Sequence, residues 1–147
     1  MLVQRISSIS IVAVLLSISF IPIFTGCGNS DKFGYVSGKV LIDGQPAPEG
    51  LIVQFQPLDR NGSPSSSFTD KGGEYELWFS RTVKGVQLGS STVTVIQQTS
   101  DTNLKPTPEY LLAFNEKRET FDVKKGRQTY DVNIDSSLKL DKKRKKR

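Results

Sequence analysis

Apolar residues return at every second position through "YVSGKVLIDG", "LIVQFQP", "EYELWF", "GSSTVTVIQQ" and "TYDVNID". Helical spacing of three or four hardly occurs in the same stretches. Alternation with period two gives a strand one apolar and one polar face, and several such strands bury their apolar faces only against a second sheet. In the first stretch Val36, Gly38, Val40 and Ile42 share a face; in the second, Leu51, Val53 and Phe55 do. Asp43-Gly44, Pro46, Pro48, Gly50 and Asn61-Gly62 punctuate the chain between these runs. The pattern predicts an all-β fold, an antiparallel β-sandwich of about seven strands.

Two hairpins are expected from adjacency in the chain. "SFTDKGGEYELWF" has the form strand, Asp-x-Gly-Gly turn, strand, with Tyr75, Leu77 and Phe79 on one face and Glu74, Glu76 and Trp78 on the other. "RETFDVKKGRQTYDVNID" predicts a second, pairing Phe121 and Val123 through Lys125-Gly126 with Tyr130, Val132 and Ile134. Between the later strands, "TSDTNLKPTPEYLLAFNEKR" reads as a long excursion with a short helical turn around Tyr110 to Phe114. Trp78 is expected to lie buried beneath that loop. Were it exposed, it and Tyr110 would form a stacking surface for a carbohydrate or another envelope polymer.

Composition narrows the chemistry. The chain has no histidine and a single cysteine, Cys27, so His-based or Cys-cluster metal sites, disulfides and histidine-based triads are excluded within one chain. No G-x-S-x-G frames a serine, and the S-x-x-K spacing occurs only at Ser136-Ser137-Leu138-Lys139, after the last alternating run. No catalytic residue, metal ligand or cofactor site is nominated, and a non-enzymatic role is expected. Asp70, Glu74 and Glu76 flank Gly72-Gly73, but without the D-x-[DN]-x-[DN]-G spacing of a calcium loop. A turn with solvent-facing carboxylates is the expectation there.

The net charge of +5 is a property of the ends. The last six residues, Lys142, Lys143, Arg144, Lys145, Lys146 and Arg147, are all basic. Removing them and Arg5 from the 20 basic residues leaves 13 against 15 acidic ones. The middle of the chain is therefore mildly acidic, and the tail is either solvated or a contact for anionic headgroups.

At the other end, Arg5 is followed by an uncharged run from Ile6 to Gly26 with the shape of an export signal. Phe24, Thr25, Gly26 and Cys27 resemble the bacterial lipobox, in which an apolar and two small residues precede a lipidated cysteine; Phe24 stands where the pattern usually has an aliphatic residue. The resemblance implies cleavage after residue 26, a lipid-anchored Cys27 as the new N-terminus, and a place in a bacterial cell envelope with the domain outside the cytoplasm. Export leaves no nucleic acid expected as a partner, and Gly28 in place of Asp leaves outer-membrane sorting open.

The series "VSGKVLIDGQPAPEGLIVQFQP", "SFTDKGGEYEL", "GSSTVTV" and "FDVKKGRQTYDVNI" resembles carboxypeptidase regulatory-like domains, whose topology is transthyretin-like and immunoglobulin-like. With the lipobox and the terminal charge run, it divides the chain into an expected signal over residues 1–26, a tether over 27–34, a sandwich over 35–136 and a basic tail over 137–147. The matching residues are turn and core residues, so an architecture carries over and an active site does not. Similar adhesin domains cross-link a first-strand Lys to a last-strand Asn. Lys39 and Asn133 occupy such strands here, but both alternate outward, away from the apolar shielding that would neutralise the amine. A protein or glycan partner is expected; nothing in the sequence names it.

Overall fold

The computed structural model describes residues 32–97 and 106–141. The expected export signal over residues 1–26, Cys27 and Lys142 to Arg147 lie outside the described residues. In chain order the elements are β1 (Phe33–Ile42), β2 (Gln45–Pro46), β3 (Leu51–Pro57), β4 (Ser65–Phe68), β5 (Glu74–Glu76), β6 (Val86–Gln87), β7 (Gly89–Gln97), α1 (Glu109–Lys117), β8 (Thr120–Val123), β9 (Gly126–Thr129) and β10 (Val132–Ile134).

They form two sheets and an all-β sandwich, as the alternation requires. The four-stranded sheet runs β4-β3-β7-β8, antiparallel throughout. The six-stranded sheet is organised around β1 alone. Gly34 pairs with both Val86 and Gly126, Ser37 with both Glu76 and Thr129, and Ile42 with both Gln45 and Ile134. One edge of β1 thus takes β6, β5 and β2 antiparallel, and the other takes β9 and β10 parallel. The parallel edge is an addition to the antiparallel sandwich expected from sequence.

Burial follows the alternation closely. Leu51, Val53 and Phe55 of β3, Val93 and Val95 of β7, and Val36 and Val40 of β1 face the core, with Tyr75, Leu77, Val132 and Ile134 from the short partners. Removing such side chains from water stabilises the fold by about 1.5–3 kcal/mol each. The expected helical turn is α1, which buries Leu111, Ala113 and Phe114. Asn115 fastens it to β7: its Oδ1 accepts the Val95 N–H and its Nδ2 donates to the Val95 carbonyl, both at 2.9 Å.

Neither predicted hairpin forms as written. The Asp70 turn is present, with Asp70 Oδ1 accepting the N–H groups of Gly72 and Glu74 at 2.8 Å. Beyond the turn, however, β5 pairs with β1 in one sheet while β4 pairs with β3 in the other. Only Trp78 returns to Ser66 of β4, through an isolated bridge. Likewise β8 pairs with β7 and β9 with β1, so the chain crosses between sheets at Lys124 and Lys125. The apolar faces still meet, but across the sandwich: the Phe121 and Tyr130 rings lie 4.7 Å apart, and Phe55 packs edge-on to both.

Candidate functional site

The outward face of the β1 sheet carries the chemistry that remains accessible. Tyr35, Ser37 and Lys39 point outward from β1 because Val36 and Val40 point inward. Parallel register sets Arg127 and Thr129 of β9 beside Tyr35 and Ser37, and antiparallel register sets Glu76 of β5 on the other side of Ser37.

The segment after β5 completes this face. Leu77 N–H still donates to the Val36 carbonyl, but at Trp78 the chain leaves β1 for β4, turns back at Ser80 to Val83, and rejoins β1 through β6. Gly85 makes the return possible. Its φ of +115° suits a residue without a side chain, and a Cβ there would sit 2.7 Å from the Gly34 carbonyl oxygen. The excursion places Lys84 Nζ 2.8 Å from Glu76 Oε2 and 4.7 Å from the centroid of the Trp78 ring.

A groove of about 390 Å³ results, lined by Tyr35, Ser37, Glu76, Lys84, Arg127 and Thr129, with Trp78 joined to it through Lys84. Tyr35 is 42% exposed and Trp78 36%. Flat aromatic faces beside hydroxyls and fixed charges suit stacking and hydrogen bonding to a polar ligand.

Trp78 is therefore not buried under the long loop as expected: it flanks β4, while the loop's described part is α1, packed on β7 and β10. Tyr110 does not join it. Its ring is half-buried on α1 against the core, so the proposed pair of stacking aromatics is corrected to Trp78 with Tyr35. The sequence reading missed Tyr35, Lys84 and Arg127. Alternation placed Tyr35 outward, but the parallel pairing of β1 with β9 that brings Arg127 beside it has no local signature.

The remaining candidates resolve as structural groups. Lys39 faces outward and its ammonium is held in the charged form by the hydrogen bond and charge of Glu74 at 2.9 Å, which raises its pKa. Asn133 is also outward, beside Leu41. Asp70 is occupied by its own turn, and among the described residues no cluster of three or more metal-ligating side chains occurs. Ser65 and Ser91 are fully buried on the inward face with no hydrogen-bond partner for either hydroxyl, and so offer nothing to a substrate. No helix among the described residues is long and apolar enough to cross a membrane.

No protein-family model and no curated protein matches the sequence. Among solved structures, the chain is similar to the Bacillus anthracis TIE protein, with a TM-score of 0.43 and 12% identity. The likeness covers 71% of this chain and spans only 16% of the length of that one.

Proposed function

We propose that this chain is a lipoprotein of a bacterial cell envelope that presents one β-sandwich, of the transthyretin-like, carboxypeptidase regulatory-like kind, as a non-enzymatic interaction module. The observation that carries this reading is Cys27 itself. It is the only cysteine, it ends an uncharged run, and it stands six residues ahead of Phe33, where β1 begins. Acylation there tethers the sandwich close to the bilayer. Intact mass of envelope-purified protein tests it: the expected result is a chain starting at Cys27 with added acyl mass, lost in Cys27→Ser. An unmodified mass overturns the reading.

A second reading, a glycan-binding module, is favoured by the exposure of Trp78 beside the groove. Trp78 is the chain's single tryptophan, so its fluorescence reports on that site without ambiguity. Titration with envelope polysaccharide is expected to quench it, with the effect weakened by Tyr35→Ala. Unchanged emission at saturating glycan removes this reading.

A further inference from the structure

The charges of the sandwich are sorted along β1. At the end where β1 starts lie Lys32, which accepts the Leu88 N–H at its carbonyl, and Lys124, whose carbonyl closes over Gly34. Lys125 and Arg127 flank Gly126, the register partner of Gly34. Arg81 belongs to the turn that follows Phe79, whose ring packs on Phe33 with centroids 4.8 Å apart. Lys84 is there too, but matched by Glu76. Arg60 and Asp59 adjoin in the turn after β3, and Asp122 of β8 is a further carboxylate near this end among the described residues. Counted as charges among the described residues, seven basic side chains stand here against three carboxylates, Asp59, Glu76 and Asp122.

The opposite end has the reverse sign. Asp43 caps the exit from β1, Asp135 follows β10, and Glu49 and Asp70 sit in the adjoining turns, against Lys71 and against Lys117, whose charge helps lower the pKa of Asp135. Two large apolar side chains accompany the basic end: Leu58 and Leu88 are 59% and 38% exposed. Leu58 N–H donates to the carbonyl of Ser90, two residues along from Leu88, so both lie on the same end.

We infer that this end of the sandwich is a docking surface for an anionic phospholipid bilayer, which holds the domain upright with β1 running away from the membrane. The inference rests on the lipid-anchor reading for its geometry. The six Cα–Cα steps from Cys27 to Phe33 span at most about 20 Å, so the tether delivers the basic end to the headgroups and keeps the acidic end away. Charge selects the surface. Each cation close to anionic lipid strengthens attachment about fivefold, and exposed leucines at the contact add apolar burial in the interfacial layer.

The test uses the full acylated protein on vesicles of phosphatidylcholine with or without phosphatidylglycerol. With Cys27 acylated, a cysteine introduced by Leu88→Cys or Lys71→Cys takes a single environment-sensitive dye. Two dyes per chain signal failure of the anchor reading alone, and partition of that unacylated full chain between the same vesicles and solution then reads the docking surface.

The expected result is a blue-shifted, brighter dye at position 88 on anionic vesicles only, with no response at position 71. High salt should abolish the shift, because the attraction is screened over a Debye length of about 3 Å at 1 M. Lys32→Glu combined with Lys124→Glu and Arg127→Glu should abolish it too, whereas Gln replacement of all six tail residues should leave it in place. The inference is overturned by equal responses at positions 88 and 71, by an equal response on neutral vesicles, or by a response surviving high salt. It is equally overturned if the base reversals release the protein from an acidic polysaccharide but not from anionic vesicles.

Discussion

The two sheets are built by different means. In the four-stranded sheet, β3 and β7 run side by side through seven register pairs from Leu51 opposite Gln97 to Pro57 opposite Ser91, and inward residues come from both at every second step. In the β1 sheet no neighbour matches the length of the central strand. Five short segments share its two edges, and where β9 gives way to β10 the ladder is patched at Tyr130 and Asp131. There Tyr130 N–H donates to the Ser37 carbonyl, Asp131 Oδ1 takes the Lys39 N–H at 2.9 Å, and Tyr75 Oη donates to the Tyr130 carbonyl. The first sheet is held by apolar burial along a regular ladder. The second depends on close backbone fit and a few side-chain bonds.

The largest expected effect breaks the regular sheet. Phe55 is fully buried and touches the rings of both Phe121 and Tyr130, so Phe55→Ala removes contacts to β8 and to the joint between β9 and β10, and leaves a cavity at the centre of the sandwich. A loss of about 3–5 kcal/mol is expected in equilibrium urea unfolding. A loss below 1 kcal/mol would mean that burial is not what holds this sheet.

A smaller change probes the patched sheet by adding a single methyl group. Gly38 is the register partner of Tyr75, and a Cβ on it would lie 1.9 Å from the Tyr130 carbonyl oxygen. No side-chain rotation relieves a clash with backbone, so Gly38→Ala must push β10 off β1 or bend β1. The expected cost is about 1–3 kcal/mol, with faster amide exchange at Tyr130 to Ile134 than along β3. Exchange accelerated equally in both sheets would erase the distinction drawn between them.

This contrast also explains what could be read from the sequence. Inward and outward faces were legible along the regular strands, because alternation is local: Leu51, Val53, Phe55, Val93 and Val95 are all buried where expected, whereas Phe79, expected beside Tyr75 and Leu77, packs on Phe33 outside the core. Partners were not. Glu74 to Glu76 and Ser65 to Phe68 are neighbours in the chain, and hairpin pairing is the default for such neighbours, yet the long exposed edge of β1 captures the former and β3 the latter. The groove shared this fate. Alternation set Trp78 on the face opposite Leu77 but not its exposure, which was expected to be lost beneath the long loop; its neighbour Lys84 depends on the turn-back at Ser80 to Val83, and Arg127 depends on a parallel pairing across more than 90 residues of chain.

The smallest expected effect sharpens the comparison, because it reads a bond that only the patched sheet contains. Tyr75 is buried, and burial, reinforced by Tyr130 and the charge of Asp131, raises its pKa well above the ordinary tyrosine value; Tyr130 is raised too, by burial and by Glu119. A group whose pKa is higher in the folded state contributes its full stability below the unfolded value of about 10 and loses it as pH climbs past that value toward the folded one. The fold should therefore weaken steeply in alkali, as ionisation of the buried phenols is coupled to unfolding. Tyr75→Phe removes the bond to the Tyr130 carbonyl at a cost of about 1 kcal/mol at neutral pH. It also removes one of the two phenols, so the fall in urea midpoint above pH 10 should be shallower than in the unaltered protein. An identical alkaline slope in both proteins would place the coupling elsewhere than in the Tyr75–Tyr130 joint.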